Sequence, residues 1–293
     1  MTTTVTATST ARPAEAALTV PSRVLGEHAA GALRAEALLT PKPGLVDGRG
    51  SGAHDDMTLA ALLLSADALA LPIARCAEAG AALPLGCDLR AAIGAVGRAG
   101  EQRMMAAAGG VNTHRGALWA LGLLAAGLAA TGTATGAGRF AARLASLADP
   151  APEAARRLSH GARARLRYGA SGARGEARRG FPHVTRVALP ALRAARQAGH
   201  REDVARTDAL LASMATLEDT CLLHRAGREG LHAVRRGAAA VLRAGGSGDD
   251  RGRGLLDDLD RLCRARRLSP GGSGDVLAAA LFLDSATTAG WRN

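Results

Sequence analysis

Aromatic side chains are nearly missing: two Trp, one Tyr and three Phe in 293 residues. That is too few for the stacking platforms on which single-stranded nucleic acids are held. The net charge of +11 therefore points to a polyanionic ligand and not to nucleic acid in particular. Lysine is scarcer still. Lys42 is the only one in the chain, and Asn112 is the only asparagine before Asn293. Lys, Asn, Tyr, Phe and Ile share AT-rich codons, so a chain of this composition has replaced them widely and the survivors are worth inspecting. Cys76, Cys87, Cys221 and Cys263 stand far apart with no paired spacing, which argues against a zinc knuckle or a disulfide framework.

Long clean apolar runs are also missing. The stretch from about 117 to 130 is too short and too rich in Gly and Ala to span a bilayer, and other apolar stretches carry charges such as Asp67. No basic start followed by an apolar segment suggests a signal peptide. A cytoplasmic protein with no membrane segment is expected.

β-branched residues are sparse and apolar residues recur three and four apart, so the expected fold is all-α. Residues 1–20 read as a disordered leader and residues 21–293 as one helical domain of ample size for a core. Helices are expected at about 21–39, 55–71, 88–107, from 112 or 113 onward, 139–148, 153–168, 184–198, 203–217, 220–242, 255–266 and 275–289. Gly169 to Pro182 is too glycine-rich to be a good helix and reads as a loop. The polar 245–254 segment lacks the Lys-Ser/Thr ending of a P-loop.

What is present is chemistry at the turns. One irregular loop gathers Glu36, Lys42, Asp47, His54, Asp55 and Asp56 between two helix ends, with Pro41, Pro43 and Gly44 breaking the first helix. Four segments share a design in which glycines lead into a helix start beside an acid, a histidine or a small polar residue: 52–56, 110–114, 171–176 and 269–275. Helix N-termini offer free N–H groups and partial positive charge to phosphates, and acids there can carry a magnesium ion bridging phosphate oxygens. The plainer alternative is structural: Asp55 and Asp56 favour a helix dipole, Asn112 and Ser273 are natural N-caps, and Thr216 and Asp219 cap the next helix. No serine nucleophile elbow, HExxH or dinucleotide fingerprint occurs.

Taken together, the motifs Thr40-Pro-Lys-Pro-Gly-Leu-Val-Asp47, Gly52-Ala-His-Asp-Asp-Met57, Gly110-Val-Asn-Thr-His-Arg-Gly116, Gly172-Ala-Arg-Gly-Glu-Ala177 with Gly180-Phe-Pro182, Asp219-Thr220 with Arg225, and Leu268-Ser-Pro-Gly-Gly-Ser273 with Asp275 resemble the triphosphoribosyl-dephospho-CoA synthase family over about residues 25–285. Two positions depart from its pattern: Cys221 stands where Asn is expected and Gly274 where Ala is usual.

The resemblance implies an all-α enzyme that transfers the triphosphoribosyl unit of ATP, its co-substrate, to the 2′-hydroxyl of 3′-dephospho-CoA and releases adenine. The product would be passed to a holo-acyl-carrier-protein synthase for malonate decarboxylase, or alternatively citrate lyase; the segment from Gly110 to Leu124 favours the malonate type. Mg2+ is expected, and a homo-oligomer is compatible with the resemblance. In this reading Asp47, His54, Asp56 and His114 are the catalytic candidates. Glu36, Asp47, Asp56, Asp219 and Asp275 are candidates for the metal. Lys42, Asn112, Thr113, Arg115, Arg174, Glu176, Arg178, Arg225, Gly271, Gly272 and Ser273 would bind substrate, with the 169–181 loop closing over the triphosphate. Two other classes use similar features: an all-α magnesium-dependent ADP-ribosyl or N-glycosyl hydrolase, and an Arg-rich helical nucleic-acid binder.

Overall fold

A computed structural model describes residues 18–151 and 160–290. No strand forms among them; an isolated antiparallel bridge joins Asp47 to Gly50. The all-α expectation holds. Most of the expected leader, residues 1–17, lies outside the described residues, as does 153–159 of the helix expected at 153–168.

The first helix, α1 (Val20–Leu38), opens with Pro21 in its first turn and buries Leu25, Ala29, Ala32, Leu33 and Glu36, a spacing of three and four that makes one face. It stops where Leu39 turns extended. The next helix, α2 (Leu59–Ala68), begins later than the expected Asp55, because Thr58 is its cap and takes the Ala61 N–H at 3.2 Å. A helix not expected from the sequence follows, α3 (Ala70–Ala82). Pro72 reads as a stop in sequence, yet it occupies the first turn, where the missing N–H has no intrahelical partner to lose. The stretch Leu59–Ala82 has the length and hydropathy of a membrane span; it is these two helices, packed on α1, α5 (Arg115–Thr131) and α4 (Cys87–Ala107).

The core centres on α5, which buries every residue from Ala117 to Leu128 except Trp119. Close packing against it depends on small residues: a Cβ on Gly80 of α3 would lie 2.3 Å from the Ala126 carbonyl oxygen. Thr133 caps α6 (Ala134–Ser146), which therefore starts before the expected Arg139. After α7 (His160–Tyr168) the expected glycine loop instead contains a helix, α8 (Gly172–Arg178), packed on α6. A π-helical turn (Val184–Ala188) runs into α9 (Leu189–Gln197), followed by α10 (Glu202–Thr216). The expected continuous helix at 220–242 is α11 (Thr220–Arg243), broken where Gly227 takes φ 63°. Asp249 caps α12 (Asp250–Ala265), ahead of the expected Leu255. Last comes α13 (Gly271–Thr288), buried almost throughout and packed on α1 and α5.

Candidate functional site

The N-terminal turn of α13 is where the separated motifs meet. Asp219, at the start of α11, reaches across to it: Oδ1 accepts the Cys221 N–H at 2.9 Å, and Oδ2 accepts the Ser273 N–H at 3.0 Å and the Ser273 hydroxyl at 3.2 Å. One buried carboxylate thus caps two helices. Ser273 is not the cap of α13, and Asn112, which is exposed, is not the cap of α5, where His114 holds that position. Gly271 faces the Cys221 thiol, and Gly272 lies against the Asp219 carboxylate.

Asp275, one turn into α13, lies over the start of α5. A Cβ on Gly116 would come within 2.0 Å of Asp275 Oδ2, so only glycine admits the carboxylate there. Burial pushes the Asp275 carboxyl well above the usual range, and the nearby Asp219 and Glu36 push it the same way. Burial likewise raises Asp219, despite its backbone donors. Glu36 comes in from α1. A Cβ at Gly274 would stand 3.1 Å from Glu36 Oε1, so the departure to glycine widens the space beside that carboxylate.

Lys42 is buried, and its Nζ donates to the Glu36 carbonyl at 2.7 Å and to Glu36 Oε1 at 2.8 Å. Its ammonium is thus committed to Glu36. Asp47 is committed as well: it accepts the Lys42 N–H at 2.9 Å, the Arg49 N–H at 2.8 Å and Arg49 Nη2 at 2.7 Å. Burial works to raise Asp47, but these bonds from Arg49 and Lys42 outweigh it and leave the carboxyl below the usual range. Arg49 continues to Asp260 at 3.1 Å, and Asp260 takes the Gly44 N–H at 3.0 Å. Asp47 and Asp260 together fix the fold of the 40–50 loop. The sequence held no signal for Arg49 and Asp260, whose partnership spans the chain.

The two histidines expected near the chemistry differ sharply. His54 Nε2 lies 2.7 Å from Ser269 Oγ, and Arg225 Nη2 donates to Nδ1 at 3.1 Å. Arg225 also donates to the Ala53 carbonyl at 3.2 Å. Both ring nitrogens of His54 are used in tying the 52–56 turn to α13 and α11. His114 is buried; its Nδ1 lies 2.8 Å from Ser65 Oγ, while its Nε2 has no protein partner. Leaving a buried polar atom unpaired costs about 1–3 kcal/mol. Burial lowers the His114 pKa from 6.5 to about 4, with Glu36 opposing and Lys42 assisting.

At the edge of this buried floor, Asp56 is exposed, 3.8 Å from His54 Nδ1. Asp55 pairs with Arg267, and Arg115 with Glu101. Thr113 donates to Ser65 Oγ at 2.8 Å. The 171–178 segment joins through Ser171, whose N–H meets Glu218 Oε2 at 3.2 Å, and through Gly172, which lies against Thr220. Arg174 and Arg178 are exposed, Arg178 Nε donating to the Ala145 carbonyl at 3.4 Å. Glu176 departs from expectation: it points inward, accepting Arg179 Nη2 at 2.8 Å and the His183 N–H at 3.2 Å. Burial would raise its carboxyl, but His183 and Arg179 hold it low. It anchors the segment instead of facing a ligand. The 169–181 segment, expected as a loop, thus contains a helix, α8, packed on α6.

Of the five acids expected at a metal, Asp219 and Glu36 both act electrostatically on Asp275, whereas Asp47 is bonded to Arg49 and Lys42 and Asp56 is exposed. No three His, Cys, Asp or Glu side chains among the described residues form a ready metal-ligand set. Two open cavities lie along α1, both lined by Ala35 and Arg206 and one of them also by Arg196.

The sequence model of the ATP:dephospho-CoA triphosphoribosyl transferase family matches residues 22–293. The chain belongs to this family. Several relatives agree with that placement. A protein of Klebsiella pneumoniae named 2-(5''-triphosphoribosyl)-3'-dephosphocoenzyme-A synthase is 48% identical over 89% of this chain and 93% of its own length. One from Pseudomonas fluorescens (strain Pf0-1), named probable 2-(5''-triphosphoribosyl)-3'-dephosphocoenzyme-A synthase, is 54% identical over 89% of this chain and 90% of its own length. One from Azotobacter vinelandii with that same name is 52% identical over 91% and 94%. No solved structure matches the chain. The motifs that meet at α13 are therefore carried by a member of a triphosphoribosyl transferase family.

Proposed function

We propose that the chain transfers the triphosphoribosyl group of ATP to the 2′-hydroxyl of 3′-dephospho-CoA, releasing adenine and giving 2′-(5″-triphosphoribosyl)-3′-dephospho-CoA. The observation that carries this reading is the convergence of four motif segments on the start of α13, with a floor of buried carboxylates beside a histidine nitrogen that has no protein partner. Breaking the bond from ribose C1′ to adenine develops positive charge on the sugar, as glycosidic cleavage does. In this reading the buried carboxylates favour that charge, and His114 exchanges a proton, a role supported by its unpartnered Nε2. Lys42 acts through Glu36; exposed Arg174, Arg178 and Arg225 and partly exposed Arg115 supply the positive rim for phosphates.

Mg2+ fits this site through Glu36 and Asp275. Burial, then the charges of Asp219 and Glu36, raise the Asp275 carboxyl, and a divalent cation would offset that, one or two carboxylates with substrate phosphates being enough for that ion. When bound it would neutralise phosphate charge. We assign the enzyme to the cytoplasm, and its product to the acyl-carrier subunit of malonate decarboxylase by way of a holo-acyl-carrier-protein synthase; the segment from Gly110 to Leu124 supports the malonate type over citrate lyase.

Mass spectrometry after incubation with ATP, 3′-dephospho-CoA and Mg2+ tests the reaction. The expected product has the mass of the two substrates less adenine. Adenine release that ignores the CoA precursor and gives no adduct would instead identify a hydrolase.

A further inference from the structure

Ser65 belongs to none of the motifs above. It sits in the apolar run of α2, fully buried, and three polar groups converge on its hydroxyl. Ser65 Oγ lies 2.9 Å from the Leu62 carbonyl, 2.8 Å from Thr113 Oγ1 and 2.8 Å from His114 Nδ1. A serine hydroxyl has one proton to give and two lone pairs to receive with. The Leu62 carbonyl can only accept, so the serine proton goes there. Thr113 donates into one lone pair, and the other is filled when His114 Nδ1 carries a proton. A neutral imidazole protonated at Nδ1 is an acceptor at Nε2, and Nε2 is the buried atom without a partner.

We infer that Ser65 is a positioning residue for the transfer: with Thr113 it locks His114 in the tautomer protonated at Nδ1, and so presents Nε2 as the base that takes the proton of the acceptor 2′-hydroxyl. The step balances. The hydroxyl oxygen bonds to ribose C1′ as its proton moves to Nε2, and the electron pair of the breaking C1′–N bond leaves with adenine, which gains one proton from solvent. His114 then releases its proton to solvent. Ser65 from α2 is bonded to the ring, and the charged groups acting on it are Glu36 at the end of α1 and Lys42 from the loop that follows.

This inference rests on the transfer proposed above, and the test separates the two. In the full-length chain labelled with 15N-histidine, at pH 7, the His114 signals, assigned by their loss in His114→Gln, should show Nδ1 protonated and Nε2 bare. Ser65→Ala should move the ring toward the opposite tautomer and lower kcat by about tenfold to a thousandfold, with KM for ATP and for 3′-dephospho-CoA within about twofold. A merely structural serine would shift neither tautomer nor kcat alone. Nε2 protonated in the active wild type overturns the inference even if Ser65→Ala fails to fold. So does a folded Ser65→Ala with wild-type kcat. No adduct from the wild type overturns the transfer, and the inference with it.

Discussion

Lys42 and Glu36 form a buried ion pair, Nζ to Oε1 2.8 Å, in which the only lysine of the chain also donates to the Glu36 backbone carbonyl. The ammonium ties the end of α1 to the loop that follows. Removing one member of a buried pair leaves a charge uncompensated, at about 3–5 kcal/mol. Lys42→Met should lower the stability measured by urea unfolding by that amount and abolish adenine release. The double variant Lys42→Met/Glu36→Gln should recover much of the stability but none of the activity. A single variant as stable as the wild type would show that the pair is not buried in solution.

The histidines separate by their hydrogen bonds. Both nitrogens of His54 are taken, by Ser269 and Arg225, whereas Nε2 of His114 is open. His114→Gln should cut the rate of adenine release by about 10²–10⁴-fold, the usual worth of a positioned acid or base. His54→Gln, which keeps a donor and an acceptor at the tether, should cost at least tenfold less. Equal losses in the two variants would place His54 in the chemistry.

Much of this architecture was legible in the sequence, and the misses share a cause. The helical class and the meeting of the motifs followed from periodicity and from polar turns. Missed were α3, where Pro72 sits harmlessly in a first turn, and α8, whose Gly172 serves close packing: a Cβ there would lie 3.0 Å from Thr220 Cγ2. Local propensity reports neither tertiary use. Lys42, Asp47 and Glu176 stood out correctly as unusual residues, but which way each points is decided by partners such as Arg49 and His183, near in sequence yet fixed only by the fold. Ser65 had one faint signal, a polar side chain in a run of leucines.

Acid should weaken the fold through His114. Its pKa is held at about 4 in the native state against 6.5 when unfolded. The unfolded chain therefore binds a proton that the native chain refuses between these values, and stability falls as pH drops from 6.5 to 4. The loss from this ring is on the order of 3 kcal/mol. His54, also lowered by burial and by Arg225, adds to it in the same direction. The stability difference between wild type and His114→Gln, measured by urea unfolding at pH 7 and pH 4.5, should move against the wild type as pH falls. A constant difference would mean that the ring is solvated.

Metal dependence should follow Glu36 and Asp275. Chelation is expected to abolish adenine release, and added Mg2+ to restore it. Glu36→Gln or Asp275→Asn should raise the Mg2+ concentration for half-maximal rate by about tenfold or more, since one of few charged ligands is lost. Asp47→Asn should act instead on stability, because its oxygens are bonded to Arg49 and Lys42. An unchanged Mg2+ requirement in both Glu36→Gln and Asp275→Asn would remove these two side chains from the metal site.

Asp219 sets the relation between α11 and α13, since each of its oxygens receives the first amides of a different helix. An asparagine there has one accepting oxygen and one NH2 group that only donates. It can cap only one of the two helices, and it turns N–H against N–H at the other, a loss of about 1–3 kcal/mol. Asp219→Ala should lose both caps, about 2 kcal/mol in cap energy alone at about 1 kcal/mol for each. Hydrogen exchange locates the effect. In Asp219→Asn the amides of either Cys221 or Ser273 should lose protection while the other set keeps it, and in Asp219→Ala both should lose it. Because Gly271, Gly272 and Asp275 ride on the start of α13, the alanine variant should also lose adenine release out of proportion to its stability. Full activity in a folded Asp219→Ala would show that the start of α13 holds its place without the carboxylate.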